Sequence, residues 1–293
     1  MSKKSWKRKI AAGLTVAGAF FGVSPDASSA EVALFFNPTY VDAVANDCNA
    51  EATNLLLSLQ SFGDNVATFT GITATDFQTI VEGRNALLLP EFNDQFNTDL
   101  DVDAENAIAD YVDQGGRLIV FGEDDTALQT FLTDVFGFSI TVASSPDEST
   151  KTAEAAGTIF ADGPTTIPDN DGTAYLLDSS LPTGSVNVYN FNDGSDDQAV
   201  VAIIPFGTGE IIFLGWDWYS SEPGSGDNAA CEGPQDGGWQ SLLSTAVAAG
   251  APVPTPTPTP VPTAIPTPSP TPNPPIQLGG GGCSLQANLT MDE

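Results

Sequence analysis

The sequence predicts an α/β fold: a mostly parallel sheet covered by helices on both sides, a β-rich insertion, and a disordered Pro-Thr tail. Three observations carry this expectation. Apolar runs of four or five residues recur at short intervals, too continuous for strands with one wet face. Amphipathic helical patterns separate them. Beyond residue 250 the composition turns abruptly to proline and threonine.

The elements follow in order. Val32 to Phe36 form the first buried-strand run. Ala52, Leu55, Leu56, Leu59 and Phe62 recur at helical spacing, and Gly63 stops that helix. Residues 65–70 read as a second strand, 73–82 as a short helix and 85–90 as a third strand. Asp103 precedes a helix whose stripe is Ala104, Ala107, Ile108, Tyr111 and Val112, and Gly115-Gly116 supplies its left-handed end. Residues 118–121 are a continuously apolar strand. Asp124 and Asp125 suit the start of a helix bearing Leu128, Phe131, Leu132 and Val135. Residues 144–197 hold only short strand candidates. Two apolar runs, 199–205 and 210–218, flank Phe206-Gly207-Thr208-Gly209 as a hairpin. Trp239, Leu242, Leu243, Ala246 and Val247 make a final helix.

Residues 1–30 follow a different logic. Lys3, Lys4, Lys7, Arg8 and Lys9 precede a short apolar stretch, and Ser28-Ser29-Ala30 offers small side chains for cleavage. This is the pattern of a cleavable secretory signal, with an apolar run too short for a transmembrane span. The expected organisation is signal peptide 1–30, α/β domain 31–250, Pro-Thr spacer 251–276 and C-terminal segment 277–293. Twelve of the 22 prolines lie in the spacer, which favours extended polyproline II over a core. The expected location is outside the cell or on its surface.

Charge and composition exclude several functions. Beyond residue 30 there are 37 acidic residues against three basic ones, Arg84, Arg117 and Lys151, a formal charge of −34. Such a surface repels nucleic acid and disfavours anionic lipid, so no nucleic-acid partner and no membrane insertion of the mature domain are expected. The chain has no histidine, which removes the commonest general base and zinc ligand. Its three cysteines are Cys48, Cys231 and Cys283; the first two are spaced to staple the ends of the domain as a disulfide in an oxidising compartment.

Two stretches resemble known families. "NALLLPEF" at residues 85–92 and "IADYVDQGGRLIVFGED" at 108–124 resemble the class I glutamine amidotransferase-like superfamily. The likeness is to its non-catalytic members in particular, such as the middle domain of some bacterial beta-galactosidases. It covers about residues 31–138 and the 199–218 hairpin, and implies a flavodoxin-like three-layer sandwich. Catalytic members carry a cysteine on the turn after the strand at 117–122 and pair it with a histidine; here Glu123 stands at that turn. The resemblance therefore implies a member that keeps the scaffold without the nucleophile. The second stretch, "LGGGGCSL" at 278–285, resembles the Gly-Cys element of C-terminal protein-sorting signals in some Gram-negative bacteria, making Cys283 a sorting or anchoring candidate. Its apolar helix and basic cluster are missing, because residues 286–293 are short, polar and acidic.

Ligands of open α/β sheets bind beyond the carboxyl ends of the strands. The candidates at that rim are Tyr40, Asp42, Glu91, Glu123, Trp216, Asp217 and Trp218. Two readings compete for the tryptophans: stacking faces for a glycan or another cell-surface component, or packing that closes the sheet edge. The reading expects no cofactor beyond calcium, which carboxylates suit. Asp99-Asp101-Asp103-Glu105 and Asp169-Asn170-Asp171-Gly172 are the acidic loops weighed for it, and neither matches a calcium-loop motif. The overall expectation is a non-enzymatic binding or structural domain displayed on a proline-rich stalk. The alternative is a carbohydrate-active hydrolase using rim carboxylates, which needs no histidine.

Overall fold

In the computed structural model the apolar runs become neighbours in one sheet. The structure describes residues 29–44, 50–122, 126–144, 147–192, 197–221 and 235–248. Its first half contains β1 (Glu31–Phe35), α1 (Glu51–Phe62), β2 (Asn65–Phe69), α2 (Ala74–Ile80), β3 (Ala86–Leu89), α3 (Asp94–Asp99), α4 (Val102–Asp113), β4 (Arg117–Phe121) and α5 (Ala127–Phe136). The second half contains β5 (Val142–Ser144), β6 (Ser149–Lys151), β7 (Thr166–Ile167), β8 (Ala174–Leu177), β9 (Val186–Asn192), β10 (Asp197–Phe206), β11 (Gly209–Leu214) and α6 (Trp239–Ala248).

Sheet order is β2-β1-β3-β4-β11-β10-β9-β6-β7, with β8 beside β10 and β5 beside β8. The first five strands in this order are all parallel. The rest pair antiparallel. Counted along the chain, the parallel part has the order 2-1-3-4-5 of a doubly wound sheet, whose switch point lies between β1 and β3.

The alternation along each strand explains both faces. Ala33, Phe35, Leu87, Leu89, Leu118, Val120, Ile211 and Phe213 pack into one core with α2, α3, α4 and α5. Val32, Leu34, Ala86, Leu88, Ile119, Phe121, Ile212 and Leu214 pack into the other with α1 and α6. Successive side chains point to opposite faces, so a strand buried on both sides must be apolar throughout. Glycines 63 and 115 adopt left-handed backbone just beyond α1 and α4, as their positions after the apolar stripes require.

Several expectations need correction. α4 begins at Val102, and Asp101 rather than Asp103 caps it, accepting from the Ala104 N–H over 2.8 Å. The short α3 has no counterpart in the sequence reading; six residues are too few to show a helical period. The hairpin's second strand stops at Leu214 instead of reaching residue 218. There the Gly215 carbonyl turns to accept from Ala174 N–H at 2.7 Å, and the chain leaves the sheet. Asp124 and Asp125 lie outside the described residues.

Arg117 locks the lower end of the sheet. It forms an ion pair with Glu210 on β11, and its Nη1 donates to the Ala246 carbonyl of α6 over 2.7 Å. No helix among the described residues is long and apolar enough to cross a membrane.

Candidate functional site

Three carboxyl groups from separate parts of the chain meet at the carboxyl rim of the parallel strands. Glu51 is the first residue of α1, Glu91 follows β3, and Asp217 follows β11. One oxygen from each lies within 4.8 Å of the others. Among the described residues this is the one such grouping of three potential metal-ligating side chains. It flanks the switch point, where α1 leaves β1 towards one face and α3 leaves β3 towards the other.

The three groups differ in exposure. Glu51 and Asp217 are 4% and 7% exposed, while Glu91 is half-buried. The Tyr219 N–H donates to Asp217 Oδ1 over 2.7 Å. Glu91 is the carboxyl neighbour of Asp217, and one oxygen of each belongs to this grouping. Glu51 Oε2 is buried and has no hydrogen-bond partner.

Burial dominates the electrostatics. It pushes the Glu51 carboxyl up to about 10, reinforced by the charges of Asp217, Glu91 and Asp42 and opposed by Glu51's own backbone N–H. Burial also raises Asp217 well above the usual carboxylate range, with the Glu91 charge next and the Tyr219 N–H opposing. Among the described residues no cationic side chain relieves this. Arg84 pairs with Glu31 at 2.7 Å, Arg117 pairs with Glu210, and Lys151 Nζ donates to the carbonyls of Ala161 and Gly163, both at 2.7 Å. These are all the basic residues beyond position 30.

The loop bearing Asp217 is held from two sides. Asn54 and Ser58 lie on the buried face of α1 with Glu51. Asn54 Nδ2 donates to the Trp218 carbonyl over 3.0 Å, and Trp218 Nε1 donates to Ser58 Oγ over 3.2 Å. Trp218 is held at φ 76° and Ser220 at φ 51°, conformations that non-glycine residues rarely adopt. On the other side Trp216 Nε1 donates to the Asp171 carbonyl over 3.0 Å. Gly172, at φ 76°, lies so close to Asp217 that a β-carbon there would stand 1.8 Å from Oδ2.

The remaining sequence candidates divide. Asp42 is exposed, and its charge reaches Glu51. Tyr40 is buried between Phe35 and Phe96, and its hydroxyl donates to Asp99 Oδ2 over 3.0 Å. It offers no open face to a ligand. Trp216 and Trp218 have no exposed surface and stack on each other with centroids 4.7 Å apart. Packing, not glycan stacking, is the role their geometry allows. Glu123, Cys48, Cys231 and Cys283 lie outside the described residues. Of the acidic loops weighed for calcium, Asp99 serves Tyr40 and Gln95, and Asp101 caps α4. Burial pushes Asp169 up to about 6, with the charges of Asp147 and Asp171 adding to it.

Glu51 is the residue the sequence reading missed. Its signal was present: Glu51, Asn54 and Ser58 repeat at i, i+3 and i+7, a polar stripe beside the apolar one of Leu55 and Leu59. A polar stripe on the core side of a helix marks a buried polar contact.

No family model matches the chain, and no curated protein matches it. Among solved structures it is similar to a ThuA-like protein from Bacteroides uniformis, at 12% identity and TM-score 0.48, over 79% of this chain and 98% of that one. It is similar to a cytoplasmic protein from Salmonella typhimurium LT2 at 15% identity and TM-score 0.47, over 68% and 86%. A beta-galactosidase from Bacillus circulans sp. alkalophilus is similar at 11% identity and TM-score 0.44, over 76% of this chain and 32% of that one. At these values the likenesses transfer neither residue roles nor activity.

Proposed function

We propose that the chain is an exported, non-enzymatic binding domain whose ligand meets the cluster of carboxyls at the rim. In this reading the fold is the flavodoxin-like sandwich of the amidotransferase-like superfamily, supported by the 2-1-3-4-5 order of its parallel strands. The domain stands at the cell envelope on the 251–276 spacer, with Cys283 as its sorting or anchoring residue. Residues 1–30 and the Pro-Thr composition support that placement.

The convergence of Glu51, Glu91 and Asp217 carries the binding role. Three converging carboxyls with no cationic side chain paired to them among the described residues favour a ligand with positive charge, or a neutral one rich in donors such as a glycan. A catalytic role is disfavoured because two of the three carboxyls are almost fully buried and the chain has no histidine. The test is binding of the full-length protein to arrayed glycans and cationic peptides, with and without calcium. Saturable binding that Glu91→Gln removes supports the cluster; binding that survives the substitution moves the site elsewhere.

The second reading, a carbohydrate-active hydrolase, has one observation in its favour. Glu91 and Asp217 are neighbouring carboxyls in unlike surroundings, one half-buried and one almost fully buried, and carboxyl pairs in unlike environments perform acid–base chemistry. Turnover on a glycoside panel, abolished by Glu91→Gln with the fold retained, would establish it. No turnover across the panel would remove it.

A further inference from the structure

We propose that Glu51, Glu91 and Asp217 bind a hard divalent cation such as calcium. The inference rests on the reading of the rim cluster as the ligand site and names the class of ligand.

Four observations support it. The donors are all carboxylate oxygens, the ligands that hard cations choose. Their spacing fits: the three oxygens lie within 4.8 Å of one another. Oxygens on opposite sides of a calcium ion stand about 4.6–5.2 Å apart, so three oxygens this close can share one ion.

Third, Glu51 Oε2 is buried, belongs to a residue only 4% exposed, and has no hydrogen-bond partner. A buried polar atom without a partner is costly, and a cation satisfies it. Fourth, the described residues have no cation to spare. Beyond residue 30 the only basic side chains are Arg84, Arg117 and Lys151, each held by Glu31, by Glu210 with Ala246, or by two carbonyls.

The surrounding scaffold suits a fixed site. Asn54 and Ser58 hold the loop that carries Asp217, and Gly172 lets the backbone approach its carboxylate. The residues that orient metal ligands are often as important as the ligands themselves.

Terbium luminescence tests the proposal on chelator-treated full-length protein, since Trp216 and Trp218 flank Asp217 and can sensitise a bound lanthanide. The expected result is emission that saturates at one equivalent and is displaced by calcium. Glu91→Gln and Asp217→Asn should each weaken binding roughly tenfold or more. Asp134→Asn, which removes an exposed carboxylate on α5, should leave it unchanged. Thermal melts of each variant separate a lost ligand from a lost fold. No saturable emission, or emission indifferent to Glu91→Gln, overturns the cation site. If ligand binding on the glycan and peptide arrays still depends on Glu91 in that case, the cluster stands without the ion; if it does not, both readings fall.

Discussion

Asn54 on α1 donates its side-chain amide to the main-chain carbonyl of Trp218 over 3.0 Å, joining positions 164 residues apart. Glu51 and Asn54 are one helical turn apart, and Asp217 immediately precedes Trp218. With the Trp218–Ser58 bond, the Asn54 bond fixes the Asp217 loop against the helix that carries Glu51. Replacing Asn54 with Leu leaves the Trp218 carbonyl without that donor and releases a backbone held at φ 76°. The expected cost is about 1–3 kcal/mol in urea unfolding, with weaker ligand binding at the rim.

The pH dependence of stability has a definite sign. Glu51 has an ordinary value of 4.5 and is pushed up to about 10 in the folded protein, chiefly by burial. Between these values the folded state binds more protons than the unfolded state. The stability this confers is fully present below pH 4.5 and is lost as pH rises through about 10. In chelator, the melting temperature should fall from pH 5 to pH 9, with a slope from this group approaching about 1.4 kcal/mol per pH unit. Glu51→Gln should flatten that slope; an unchanged slope would show that Glu51 ionises freely.

Gly172 serves Asp217 through space rather than through a bond. A methyl group there would meet the carboxylate at 1.8 Å, and φ is 76°. Gly172→Ala should therefore destabilise the domain by about 1–3 kcal/mol. It should also lower ligand affinity, which separates it from a plain turn glycine. The control is Gly63→Ala, where a β-carbon meets nothing within 4 Å and only the backbone term remains.

Arg117 is buried and ties β4 to β11 and to α6. Arg117→Leu should cost about 2–3 kcal/mol, because Glu210 and the Ala246 carbonyl each lose a charged donor. Ligand binding at the rim, at the opposite end of the strands, should be unaffected once the protein is folded.

Much of the parallel sheet was legible because burial on both faces makes strands continuously apolar, as in Leu87, Leu88 and Leu89 or Leu118, Ile119 and Val120. The helices were legible from their stripes and glycine ends. The β-rich half was not, because β5, β6 and β7 are only two or three residues long and gain their pairing from β8, β9 and β6 in turn. At the rim, Glu91 and Asp217 could be placed because each follows an apolar run. Glu51 could not, since an acidic residue in a helix's first turn is ordinarily explained by the helix dipole. The exposure of Trp216 and Trp218 was undecided in the sequence, because a tryptophan after a strand serves equally as platform or plug; the loop's return onto α1 made both of them core.

The most direct measurement is a crystal structure of the protein grown with calcium. The expected result is an ion about 2.3–2.6 Å from Glu51 Oε2 and from one carboxylate oxygen each of Glu91 and Asp217. Calcium found only on the outer surface, with Glu51 Oε2 hydrogen-bonded inside the protein, would contradict it.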